Sequence, residues 1–275
     1  MRPPLIACCL SSLATLSLAS AHVAAAEVDA RPPDRLLFTA SGSELIDTDN
    51  GDGGGGSLNW LHYFTPDAVF GLGAEHQFIA DSSWTFGSVR GSYSAGQPAS
   101  KFSIFGEMHL GNGDDDGRDF DYSVGVLGIN QAIGTKFSLQ LETREIDIDT
   151  TYGNLPKVGL SYLVSPRLLV AVSYADSVSG NLGTQLTTAR FDYFGRIASL
   201  FVGGATGRAD PSLINLEPGS TLPAQDLKQG FIGIGKAFSR GEVQIVGDYL
   251  ELGESEKVTL TLTFTAYIGS RGRAP

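Results

Sequence analysis

The sequence predicts an all-β chain, a closed antiparallel up-and-down transmembrane β-barrel of about fourteen strands, short turns at one end and long loops at the other. Three observations predict it. In VTLTLTFTAYI (258–268) Val258, Leu260, Leu262, Phe264, Ala266 and Ile268 alternate with Thr259, Thr261, Thr263 and Thr265, so one face is apolar and the other wet. Tight-turn signals recur at TPD (65–67), GQPAS (96–100), IGTK (133–136), SPR (165–167), FGR (194–196) and SRG (239–241). Most lie roughly 30 residues apart, room for two strands of ~11 residues and a loop, and the polar segments between them make short and long connections alternate.

The elements follow in order. LLFTASGSELI (36–46) is the first strand, and DTDNGDGGGG (47–56) separates it from SLNWLHYFT (57–65). TPD turns the chain into 67–80, and 83–95 runs to GQPAS. The strand 100–111 contains KFSIFGEMHL, where Phe102, Ile104, Met108 and Leu110 oppose Ser103, Glu107 and His109. GNGDDDGRDFD leads into 119–132, and IGTK into 135–148, where Phe137, Leu139 and Leu141 oppose Ser138, Gln140, Glu142 and Arg144. DIDTTYGNL precedes 154–165, SPR precedes 167–178, SVSGN precedes 183–194 and FGR precedes 196–207. The longest loop, RADPSLINLEPGSTLPAQD, precedes 228–238; SRG leads to 241–251, and LGESEK to 256–268. An even count puts both termini on the tight-turn side.

Residues 1–26, with Arg2, an apolar stretch and a small-residue end at Ala24-Ala25-Ala26, have the form of a secretory signal peptide. Cys8 and Cys9 leave with it, so the mature chain has neither disulfide nor thiolate chemistry. Removing Arg2 takes the net charge from −11 to −12, which argues against nucleic acid or an anionic bilayer surface as partner. No later segment offers the ~18 consecutive apolar residues of a membrane helix, but barrel strands need only ~9–11 and hide their apolarity in alternation.

A secreted β-sandwich alternates too, with loops of mixed length at both ends. Here Phe64, Phe137, Tyr162, Tyr193, Phe194 and Phe238 crowd beside the tight turns, where a membrane-interface girdle belongs.

On these features the chain resembles the Gram-negative outer-membrane β-barrel proteins in the broad, porin-like sense. The resemblance implies short periplasmic turns, long extracellular loops, export to the cell outer membrane, and outer-membrane lipid, lipopolysaccharide and the barrel-assembly machinery as partners. It divides the chain into a signal peptide (1–26), a periplasmic segment (27–35), the barrel (36–268) and a tail (269–275). Such barrels commonly end on an aromatic residue, whereas here Tyr267 is followed by IGSRGRAP.

With the apolar columns in lipid, the expected lumen-lining groups are Glu75, Arg90, Glu107, His109, Asp121, Glu142, Arg144, Lys157, Arg190, Asp192 and Asp248. In a pore this mixed-charge surface sets a transverse field and a selectivity; in a closed barrel it pairs into a filling network. About fourteen strands enclose more space than the ~8 whose lumen side chains fill. The loop at 208–228, with Pro211, Pro218 and Pro223, is long enough to fold inward or outward.

A passive channel for small solutes is the expected function. The alternatives are a structural barrel acting as the outer-membrane port of a polysaccharide or protein export system, and an outer-membrane hydrolase. The mature chain has only His62, His76 and His109; Glu107 and His109, with Asp119 or Asp121, form the one conceivable acid/base set. No G-x-S-x-G, metal-ligand His pair or phosphate loop occurs, so neither catalytic residues nor a cofactor are expected. Neither DTDNGDGGGG nor NGDDDG (112–117) completes an EF-hand, the first lacking ligands in either register and the second carrying Ser123 at its twelfth position. Weak divalent binding at Asp114, Asp115 and Asp116, bridging to lipopolysaccharide phosphates, remains.

Overall fold

The structure, a computed structural model, describes residues 32–46, 52–79, 82–115, 117–210 and 224–269. The signal peptide, residues 47–51 of DTDNGDGGGG and most of the 208–228 loop lie outside these. The strands are β1 (Asp34–Leu45), β2 (Gly53–Thr65), β3 (Ala68–Ile79), β4 (Ser82–Ala95), β5 (Phe102–Asp115), β6 (Arg118–Ile133), β7 (Phe137–Ile148) and β8 (Thr151–Ser165). They continue as β9 (Leu168–Asp176), β10 (Ser179–Gly180), β11 (Gln185–Phe194), β12 (Ser199–Ala209), β13 (Gln225–Phe238), β14 (Gly241–Leu252) and β15 (Ser255–Ile268).

Each long strand pairs antiparallel with its neighbours in sequence, and the ring closes through β1, whose Asp34 stands opposite Ile268 and Leu45 opposite Lys257 of β15. The two-residue β10 adds only to β8, leaving β9 beside β11, so fourteen strands form the wall. Closure leaves no edge, so every wall strand satisfies its backbone groups within the sheet. β1 opens at Asp34, two residues ahead of the sequence boundary.

At the tight-turn end, two-residue connections such as Pro66-Asp67 and Ser239-Arg240 join the strands. The opposite end differs from the sequence reading. GNGDDDGRDFD, DIDTTYGNL and LGESEK were expected as long loops, yet β5–β6, β7–β8 and β14–β15 continue through them and turn within two residues. Gly53–Gly56 of the opening run likewise belong to β2. Backbone donors in a polar stretch gain the same partners as those in an apolar one, so the ladder continues wherever its neighbour does. Gly253 (φ 58°) and Asp149 (φ 51°) adopt the left-handed backbone these turns need, the latter paired with Arg118 at 2.7 Å.

The outward face is apolar around the whole circumference. Leu58, Leu110, Leu127, Ile232 and Leu260 are about half exposed, with partners from every wall strand. Water-soluble monomers rarely expose such a surface, whereas it is the surface a barrel presents to a bilayer. On β8, Tyr152 and Tyr162 lie ten residues apart on this face. That is about 33 Å along the strand at ~3.3 Å per residue, and about 25 Å across the membrane at a ~40° tilt, the height of a barrel's apolar band. Phe137 meets Tyr162 with ring centroids 4.6 Å apart at the turn-side girdle. Phe194, assigned there from sequence, has the inward parity of Arg190 and Asp192 instead.

Beyond the belt, toward the 45/53 and 148/151 ends of the strands, the alternation inverts. On β7, Leu139 and Leu141 face out, but five residues after Leu141 the apolar Ile146, and then Ile148, face in while Glu145 and Asp147 face out. The same reversal occurs on β4 (Trp84 and Phe86 inward), β6 (Phe120, Tyr122 and Val124) and β14 (Leu250 and Leu252). Here the outer surface meets water, so apolar side chains turn inside. Both buried apolar clusters of the molecule therefore lie in the lumen of this protruding section.

Candidate functional site

The lumen is built in tiers. At the protruding end, Ile79, Trp84, Phe86, Tyr122, Ile148 and Leu155, with others, form one buried apolar cluster, and Leu186, Ala209, Leu227, Leu250 and Leu252 form a second. Leu182, from the connection between β9 and β11, enters the first cluster and is wholly buried. Its segment is pinned: the Asn181 amide donates to the Thr150 carbonyl (2.9 Å) and its oxygen accepts from the Tyr152 N–H (2.9 Å). The Thr184 hydroxyl accepts from the Asp210 N–H at 3.1 Å. The sequence predicts an outward loop at SVSGN, one residue short of Leu182, whereas this segment delivers Leu182 into the lumen.

Below lies a charged tier. On β4 and β5, Glu107 lies 3.5 Å from Arg90 and 3.1 Å from His109, while Arg90 donates to the Asn59 amide oxygen; Glu75 and Gln77 bond each other beside them. On β7 and β8, Glu142, nearly inaccessible, accepts from Arg144 and Gln140 and lies 3.5 Å from Lys157. On β11, two strands further round the wall, Asp192 holds Arg190 through Nε (2.8 Å) and a terminal nitrogen (2.7 Å). Asp248 accepts from Gln229 at 2.7 Å and has the buried Lys257 nearby. Arg90, Arg144, Lys157, Arg190 and Lys257 thus balance Glu75, Glu107, Glu142, Asp192 and Asp248. The grouping is uneven, with two cations on one carboxylate at β7–β8 and two carboxylates around Arg90 at β3–β5. A small-polar tier follows toward the turns, where Ser94 meets Ser103 at 2.8 Å and Ser138 donates to Asn130 at 2.6 Å.

Aromatic rings in this lumen lie against the wall. Phe105, Phe120, Phe201 and Phe231 each stand directly opposite a glycine on the neighbouring strand, at Gly128, Gly113, Gly233 and Gly203. In every case the ring occupies the place a Cβ would take. Folded over glycine, a ring covers exposed backbone. Arg190 extends over the Phe201 and Phe231 rings, 4.6 and 6.0 Å from their centroids.

Ten of the eleven expected lumen residues point inward. Asp121 does not: it is exposed on the outward face of β6, because Phe120 and Tyr122 take the inward positions of this inverted stretch. Asp121 therefore cannot join Glu107 and His109. Their carboxylate–imidazole pair belongs instead to an ion cluster shared with Arg90. His76 faces outward and pairs with Thr85 at 2.8 Å, while His62 is held 2.8 Å from Asp34 beside Phe64. Asp114 and Asp115, adjacent on a strand, point to opposite faces. Asp114 accepts from the Gly117 N–H at 3.0 Å and Asp115 from the Ser82 hydroxyl, while Asp116 lies outside the described residues. Among the described residues no group of three or more His, Cys, Asp or Glu is placed to hold a metal ion.

No protein-family model matches the chain, and no curated protein matches it. Among solved structures it is similar to the CymD monoaromatic hydrocarbon channel (TM-score 0.62, 11% identity, covering 88% of this chain and 90% of that one). A deltaS2 mutant of the TodX monoaromatic hydrocarbon channel gives 0.59, 9%, 87% and 91% in the same order. The Acinetobacter baumannii outer-membrane protein Omp33 gives 0.53, 9%, 85% and 98%. At such identities the likeness is one of fold, and the fold it establishes is the outer-membrane β-barrel.

Proposed function

We propose that the protein is a passive channel of the Gram-negative outer membrane, exported through its N-terminal segment, for small solutes that join an apolar body to a polar end. The observation that carries this reading is the tiered lumen, with apolar and aromatic side chains at the protruding mouth and balanced charge below. A solute with an apolar body gains contacts at the mouth that water does not, and the charged tier then accepts its polar end without strong preference for sign. The named hydrocarbon channels are of the same fold, and an apolar tier is consistent with cargo of that kind. The reading assigns no residue a catalytic role.

Swelling of proteoliposomes in phenyl glucoside, methyl glucoside and glucose tests it, because the three share a polar end and differ in the apolar body. Phenyl glucoside is expected to enter fastest despite being the largest. Rates that fall with size alone would replace the proposal by a simple sieve, and no swelling with any solute would end the channel reading.

A further inference from the structure

The net charge of −11 conceals an axial separation. At the protruding end the exposed groups are mostly acidic, Asp119, Asp121, Glu145, Asp147 and Glu254 among them. At the other end, five of the six turns carry a cation: Lys101, Lys136, Arg167, Arg196 and Arg240. The sixth holds Asp67, which Lys101 pairs at 2.8 Å. Lys136, Arg167, Arg196 and Arg240 are exposed and make no ion pair among the described residues.

Depth decides what these cations meet. Each of the four lies within three residues of an outward apolar side chain about half exposed or more: Phe137 beside Lys136, Val164 near Arg167, Ile197 beside Arg196, Phe238 near Arg240. The apolar belt therefore runs to the turns at this end, whereas at the other it stops short and the barrel projects into water. A cation one short turn beyond an acyl-facing ring sits at headgroup depth, where Lys and Arg anchor membrane proteins.

We infer that the turn end is a cationic collar that binds the phosphates of anionic phospholipids in the leaflet it faces. The collar is independent of conduction, and it revises what net charge alone suggested about anionic bilayers. The tight turns hold the guanidinium and ammonium groups in a ring around the circumference, so several lipids bind at separate points. A soluble acidic protein would have to reach past the headgroups to make the same contacts.

The test is native mass spectrometry of the folded full-length chain in detergent, loaded with phosphatidylglycerol or phosphatidylcholine, with the heat-dependent shift in gel mobility confirming the barrel. The wild type is expected to retain several phosphatidylglycerols and few phosphatidylcholines. Each of K136Q, R167Q, R196Q and R240Q should weaken retention about fivefold at low salt, the factor that ~1 kcal/mol per surface cation implies. The quadruple variant should fall to the phosphatidylcholine level while its gel shift persists. Equal retention of the two lipids by the wild type would overturn the inference, as would a folded quadruple variant that keeps its preference. Capture of a defined acidic protein in place of phosphatidylglycerol would also overturn it.

Discussion

Phe86 and Tyr122 stack inside the barrel with ring centroids 5.1 Å apart and planes 16° from parallel, although a whole strand, β5, lies between the strands that bear them. They meet because the residue paired with both is Gly111. On its other side the Phe86 ring meets the His109 imidazole edge-on at 5.4 Å, so this stack marks the boundary between the apolar mouth and the charged tier.

A side chain at Gly111 would collide with Phe86 and the Thr85 carbonyl. Gly111→Val should cost about 1–3 kcal/mol, the range of an overpacked core. Phe86→Ala, which leaves a cavity instead, should cost about 3–5 kcal/mol. Urea unfolding in vesicles, followed by the gel shift, measures both.

The Glu142 carboxylate serves two cations while nearly inaccessible to solvent. Glu142→Gln removes the negative member and leaves Arg144 and Lys157 unbalanced, a loss of about 3 kcal/mol for breaking a buried ion cluster. The lumen gains one positive charge, so the reversal potential in a salt gradient should move toward anion selectivity. An unchanged reversal potential would take this cluster off the conduction path.

Gly233→Val acts on shape alone. The new side chain claims the space of the Phe201 ring and drives it toward the axis, away from Arg190. Single-channel current should fall with little change in selectivity, whereas an unaltered current would mean that the ring finds another place along the wall.

The two tryptophans test the inversion directly. Trp60 lies on the outward face of β2 between Leu58 and His62, while Trp84 is buried inside the protruding section. In vesicles with brominated acyl chains, a Trp84→Phe variant should be strongly quenched through Trp60. A Trp60→Phe variant should be quenched little.

The barrel was legible because alternation such as VTLTLTFTAYI has no other simple explanation over fourteen segments, and because each tight turn carries Pro or Gly. What escaped notice was a change of phase. In KFSLQLETREIDI the apolar residues move from odd positions (137, 139, 141) to even ones (146, 148), a shift visible in the letters that marks where strand leaves lipid. Reading a single phase along β6 put Asp121 in the lumen and left Phe120 and Tyr122 without a role. The hairpins at Gly117, Asp149 and Gly253 were hidden for a related reason: polar composition signals contact with water, which a protruding strand shares with a loop. The rings over glycine were beyond reach, since they depend on register between strands.

Planar-bilayer recording shows directly whether this lumen conducts. The wild type should give small discrete steps, because the apolar mouth restrains water and ions. Trp84→Ala should give larger ones, because it removes the largest side chain of that tier. A featureless bilayer with both proteins, after brominated-lipid quenching of Trp60 has shown the barrel inserted, would contradict the claim that this lumen conducts.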